Sequence, residues 1–167
     1  MEQNIESLIC LLKEIRNAYA RMTGLSENKK DCIVRGDAQA VGKIAQEEWA
    51  LFQEIVGLEE NRIEVVKGIC SEWDIPGGEA TLAEIEKRVG DGPRAEIARA
   101  GADLKETILM QREINDQNMA LLNLHFEYMY FMMETLKGAD AGNNIYGHSG
   151  VMQEMSAGGA SIIDSHV

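Results

Sequence analysis

From Ile5 to Leu136 apolar side chains return three and four residues apart, with few interruptions. Such a recurrence lays one stripe of side chains along one face of an α-helix. The two prolines, Pro76 and Pro93, leave stretches far longer than a strand, and no apolar–polar alternation of period two occurs. The chain is therefore expected to be all-α. The expected form is an elongated antiparallel helical bundle or coiled coil of three long helices and one short helix, followed by a flexible C-terminal tail.

The first stripe is Ile5, Leu8, Leu12, Ile15, Tyr19 and Met22, continuing through Ser26 and Lys29 to Ile33. Gly36 is a good helix stop and Asp37 a good N-cap, so "RGDA" reads as a tight turn between antiparallel helices. The second helix is expected from about 38 to 73. Its stripe is Ala38, Val41, Ala45, Glu48, Phe52, Ile55, Glu59, Arg62, Val66, Ile69 and Trp73. Gly42, Gly57 and Gly68 each weaken that helix by roughly 1 kcal/mol relative to Ala, a cost that packing is expected to offset.

"DIPGG" ends the second helix, and Thr81 with Glu84 then fits a capping box ahead of the apolar Leu82, Ile85 and Val89. Gly90 closes this short helix, and Pro93 suits the first position of the next. The last helix is expected from about 93 to 137, which at 1.5 Å per residue is roughly 65 Å. Its stripe is Ile97, Gly101, Leu104, Ile108, Gln111, Asn115, Asn118, Leu122, His125, Met129, Met132 and Leu136. Residues 1–137 thus read as a helical bundle domain, and 138–167 as a flexible glycine-rich tail suited to ordering on a partner.

A formal charge of −12 argues against nucleic acid and against anionic membrane surfaces, because both demand clustered Lys and Arg. No apolar run approaches the length that spans a bilayer, so direct membrane insertion is not expected. The N-terminus lacks the features of a secretory signal. Cys10, Cys32 and Cys70 form no CxxC pair, and each sits in an apolar-periodic stretch, where a free thiol behaves as a small buried hydrophobe. An odd, unpaired set suits a reducing compartment, and a cytoplasmic location is expected.

Two stripes turn polar near their middles, offering Glu48, Glu59 and Arg62 on one helix and Gln111, Asn115 and Asn118 on the other. In antiparallel helices these groups would meet at one level. A structural polar layer that fixes register is favoured over a catalytic or metal site, since unpaired buried charges are costly and these groups can satisfy one another. A di-iron bundle would need Glu-x-x-His, but Leu122, Ile145 and Ile163 stand three positions before His125, His148 and His166. Phosphate-loop, G-x-S-x-G and HExxH motifs are absent as well. No catalytic residue, metal or cofactor is expected, and the protein does not read as an enzyme. His125 reads as a satisfied seam histidine rather than a ligand.

The stretch from 126 to 133 is different. Phe126, Tyr128, Met129, Tyr130, Phe131, Met132 and Met133 go nearly all the way round a helix, whereas a helix packed on one side keeps a polar face. Either another part of the chain covers them or a partner does. Phe126, Tyr130, Phe131, Met133 and Leu136 are the candidates for partner binding on this helix. The tail, with six glycines after Lys137 and no Lys or Arg from Asn143 on, adds Ile145, Tyr146, Val151, Met152, Met155, Ile162 and Ile163. A segment too poor in core residues to offset its own ordering entropy can still fold on a partner.

Three stretches carry a resemblance. "EEWALFQEIVGLEENR" resembles the second-helix signature of the FlgN family of flagellar type III export chaperones, an acidic residue followed by L-E-x-x-R. "REINDQNMALLNLHF" is similar to that family's later helix, and "IYGHSG" with a late Ile-Asp to its Tyr-Gly tail. The resemblance implies a cytoplasmic chaperone that binds C-terminal helical segments of hook–filament junction (hook-associated) proteins. It would prevent their premature assembly and deliver them to the export gate. It also implies a mobile C-terminal region that engages cargo, and docking to the membrane protein of the gate through Tyr146. Gly147 matches that motif, while His148 and the long glycine-rich end depart from it. The alternative is a self-associating structural or adaptor coiled coil without a secretion role, its apolar surface an oligomer seam.

Overall fold

The computed structural model describes residues 2–75 and 80–143, with side chains through residue 137. Four helices, α1 (Glu2–Arg35), α2 (Ala38–Glu72), α3 (Leu82–Arg88) and α4 (Asp91–Asn143), and no strand occur among the described residues. The chain divides into two units, Met1–Leu124 and His125–Val167.

The helix ends follow local chemistry. Gly36 takes φ of +70°, its N–H donates to the Ile33 carbonyl (3.0 Å), and the Asp37 N–H donates to that of Cys32 (3.0 Å). This is a glycine-terminated helix end that satisfies carbonyls left without intrahelical partners. The Asp37 carboxylate then caps α2 by accepting from the Ala40 N–H at 3.0 Å. At the far end of α2, Asp74 occupies the left-handed region with φ of 51°, and the Ile75 N–H reaches the Cys70 carbonyl at 2.9 Å. Aspartate is among the few side chains that visit this region. Thr81 and Glu84 close a reciprocal capping box at the start of α3, the Thr81 N–H donating to the Glu84 carboxylate at 2.8 Å.

Side-chain bridges fix the helix directions in the first unit. Asn4 meets Glu72, Arg21 meets Glu54 and Ser26 meets Glu48, so α2 descends as α1 ascends. Lys13 meets Glu96, Ser26 meets Gln111 and Lys30 meets Gln117, so α4 runs beside α1 in the same direction and antiparallel to α2.

The main core joins the start of α1, the end of α2, α3 and the start of α4. Leu8, Leu12, Ile15, Ile69, Ile85 and Ile97 are fully buried there. Each such side chain contributes roughly 1.5–3 kcal/mol on leaving water, more than any one glycine in a helix costs. Gly101 serves this core: a Cβ on it would stand 3.1 Å from a methyl of Leu82, so its bare backbone lets α3 lie close. A second cluster of Ala18, Met22, Leu51 and Ile55 continues along α1 and α2.

Several expectations need correction. On α2 the seam keeps Val41, Glu48 and Ile55, but Ile44 and Leu51 flank it, while Ala38, Ala45 and Phe52 are exposed. Phe52 instead stacks on the exposed Trp49, ring centroids 5.8 Å apart. A line through 41, 48 and 55 can broaden toward either side, and the positions of the neighbouring helices choose. The same choice puts Ile114 half-inside and leaves Asn115 exposed on α4. Cys10 is exposed, while Cys32 and Cys70 are buried. Packing does not use Gly42 or Gly57, since a Cβ at either would meet nothing within 4 Å. Finally, α4 begins at Asp91, ahead of Pro93, and runs to Asn143, past the Lys137 end expected: Gly138 and Gly142 lower helix propensity by roughly 1 kcal/mol each without forbidding helical backbone.

Candidate partner-binding surface

Beyond Leu122 the character of α4 changes, because every described side chain from Asn123 to Lys137 is exposed. Exposure reaches 70% at Phe126, 65% at Phe131 and 64% at Tyr130. Met133 and Leu136 are exposed too, as are Tyr128, Met129 and, least of them, Met132. His125, expected on the seam, lies outside with Met129, Met132 and Leu136. The helix here is held by its own backbone ladder, by the Thr135 hydroxyl donating to the Phe131 carbonyl (2.9 Å), and by Lys137 pairing with Glu134 (3.2 Å). Such pairs add only a few tenths of a kcal/mol to an exposed helix. Aromatic and methionine side chains crowded on an uncovered helix suit adaptable protein binding.

Ile145, Tyr146, Val151, Met152, Met155, Ile162 and Ile163 lie outside the described residues.

The polar residues of α2 and α4 separate into two levels. Around Ser26, the Glu48 carboxylate accepts from the Ser26 hydroxyl at 2.8 Å and from the Lys29 ammonium at 2.6 Å. The Gln111 amide donates to the Ser26 hydroxyl at 3.0 Å, and the Asn118 amide donates to the Ser26 carbonyl at 2.8 Å. Asn118 is 1% exposed. Glu59 and Arg62 pair with each other at 2.8 Å, half-exposed and one level away, beside Tyr19. Burial raises the Tyr19 phenol above its ordinary 10.0, and the Glu59 charge adds to the shift. Asn115 points to solvent and joins neither level. Ser26 and Lys29, at the centre of the first level, sit on the α1 stripe, and their presence at apolar positions was the signal that marks them.

No group of three or more His, Cys, Asp or Glu side chains stands close enough to hold a metal ion among the described residues. No helix among them is long and apolar enough to cross a membrane. The geometry offers hydrogen bonding inside the bundle and apolar contact on the end of α4. A model of the family described as "FlgN protein" matches residues 1–154, nearly the whole chain. No curated protein matches it, and no solved structure does.

Proposed function

The chain belongs to the FlgN family, which implies a flagellar export chaperone role in general, and we propose that its cargo is the C-terminal helical segment of hook–filament junction proteins. Bound cargo is kept from assembling early and is handed to the export gate in the cytoplasm. The observation that carries this reading is the exposed aromatic and methionine surface at 126–136, whereas most other large apolar side chains among the described residues belong to or pack against the bundle core. In this reading Phe126, Tyr130, Phe131, Met133 and Leu136 receive the cargo helix, and Val151, Met152, Met155, Ile162 and Ile163 close over it. Tyr146, with Ile145 beside it, docks the membrane protein of the gate.

The polar level around Ser26 has a structural role here. Its donors and acceptors lie inside the first unit and set the register of α1, α2 and α4, as single polar seam residues do in coiled coils.

Deleting the residues from Asn143 onward tests the proposal. Helicity and melting temperature should stay nearly unchanged, while affinity for a junction protein's C-terminal segment falls. Unchanged affinity refutes it. Tyr146→Ala should impair export more than cargo binding, and loss of cargo binding with a normal gate interaction reverses that assignment.

A further inference from the structure

The side chains at 126–136 do more than present one sticky face. At about 100° per residue, the apolar side chains from Phe131 round through Tyr128, Met132, Met129 and Phe126 to Tyr130 cover an arc of about 260°. The remaining strip holds Glu127 and Glu134, seven residues apart and therefore nearly in line. Thr135 interrupts the arc, but its hydroxyl is already turned back to the Phe131 carbonyl.

A helix that packs against a single neighbour needs an apolar stripe of only about 100°. The surplus here is large. Given the exposures at these positions, the open area is on the order of 1,000 Å², taking 150–250 Å² for each fully exposed aromatic. That exceeds the few hundred Å² of the largest patch on an ordinary monomer and matches one partner's share of a specific interface. One docked helix would leave the opposite half in water.

We propose that a single partner chain encloses this segment from both sides, supplying two amphipathic helical faces so that the end of α4 becomes the inner helix of a shared bundle. The partner is the cargo of the preceding section, and the inference rests on that reading. Tyr128 and Tyr130, two positions apart and so on nearly opposite sides of the helix, each face one of the two enclosing segments. The Glu127–Glu134 strip stays at the seam between those segments, where Glu134 keeps its pair with Lys137 and Glu127 meets a Lys or Arg of the partner. Charge selects a different protein over a second copy. Two chains of −12 repel, and the same carboxylate strip would recur on the copy.

The test uses the full chain and the recombinant C-terminal helical segment of a junction protein, titrated by calorimetry. Tyr128→Ala and Tyr130→Ala should each weaken binding by about tenfold or more, as truncation of a buried aromatic anchor does. Both positions are solvent-exposed in the free chain, so circular dichroism melts should be unchanged in both variants. Full chain carrying p-benzoylphenylalanine at 128 or at 130 should cross-link to the partner segment from both positions. Sensitivity or cross-linking at one position alone overturns the two-sided arrangement and leaves the chaperone reading standing. Cross-links to residues 144–167 of the same chain, or to a second copy, overturn the assignment of the second face to the partner. Failure of the unaltered chain to bind the segment overturns the chaperone reading and this inference together.

Discussion

Replacing Glu48 by Ala should be the most damaging single change to a charged residue of the bundle. Its side chain is 15% exposed and that of Lys29 12% exposed; the carboxylate and ammonium meet at 2.6 Å, with the Ser26 hydroxyl a second donor at 2.8 Å. Removing the carboxylate leaves a nearly buried cation without a counter-charge and a buried hydroxyl without its acceptor. Breaking a fully buried pair in this way costs about 3–5 kcal/mol. The residual exposure and the long lysine stem, which can carry the ammonium toward water, reduce that to about 2–3 kcal/mol. For a chain of this size the melting temperature should fall by about 5–10 °C. Urea unfolding followed at 222 nm reads the change as a lower midpoint at constant slope. Glu54→Ala is the internal control, because Glu54 pairs with Arg21 where the side chains are 47% and 57% exposed, and such pairs contribute about 1 kcal/mol or less. Combining Glu48→Ala with Lys29→Met should recover part of the loss, since the orphaned charge goes too. A Glu48→Ala cost below about 1 kcal/mol, or no larger than that of Glu54→Ala, refutes the claim that burial rather than mere pairing sets the magnitude.

Asn118 donates to the Ser26 carbonyl while its own side-chain oxygen is buried with no hydrogen-bond partner, so Asn118→Leu should cost less than Asn118→Ala, which adds a cavity of about 1–3 kcal/mol. Leucine proving worse than alanine in denaturant titrations would contradict this, showing that the site does not accept an apolar side chain of that size. Gly42→Ala should stabilise α2 by about 1 kcal/mol, visible as a raised midpoint, because a Cβ there meets nothing and the backbone is helical. Burial and then Glu59 raise the Tyr19 phenol, so the folded state holds its proton more tightly than the unfolded chain. The resulting stability is fully present below about pH 10 and is lost as pH rises through the folded value. Tyr19→Phe should abolish that alkaline loss, and an identical alkaline profile in the variant contradicts it.

Helix ends were readable because caps are local. Gly36 with Asp37, and Thr81 with Glu84, act within a few residues of themselves, and each stands in the structure as its chemistry requires. The α1 stripe was readable for a related reason, since it is bordered on both sides and buries Ile5, Leu8, Leu12, Ile15 and Met22 as spaced. The polar level was half legible. Glu48, Gln111 and Asn118 converge on Ser26, whereas Glu59 with Arg62 stands apart and Asn115 turns outward. Glu59→Ala should accordingly cost about 1 kcal/mol or less, well below Glu48→Ala, because its pair with Arg62 is local and partly in water.

By itself, then, the sequence determined that the described residues are helical, where α1, α2 and α3 begin or end, and that residues 126–136 are apolar nearly all round. Those properties follow from backbone preferences and from spacing along one helix, which need no neighbour. Tertiary structure decided which flank of α2 is inside, so that Leu51 rather than Phe52 fills the second cluster. It also decided which of two asparagines three residues apart is buried, and that the aromatic end of α4 stays uncovered among the described residues. A stripe fixes a line on a cylinder. Only the direction from which other helices approach fixes how far to either side of that line water is excluded.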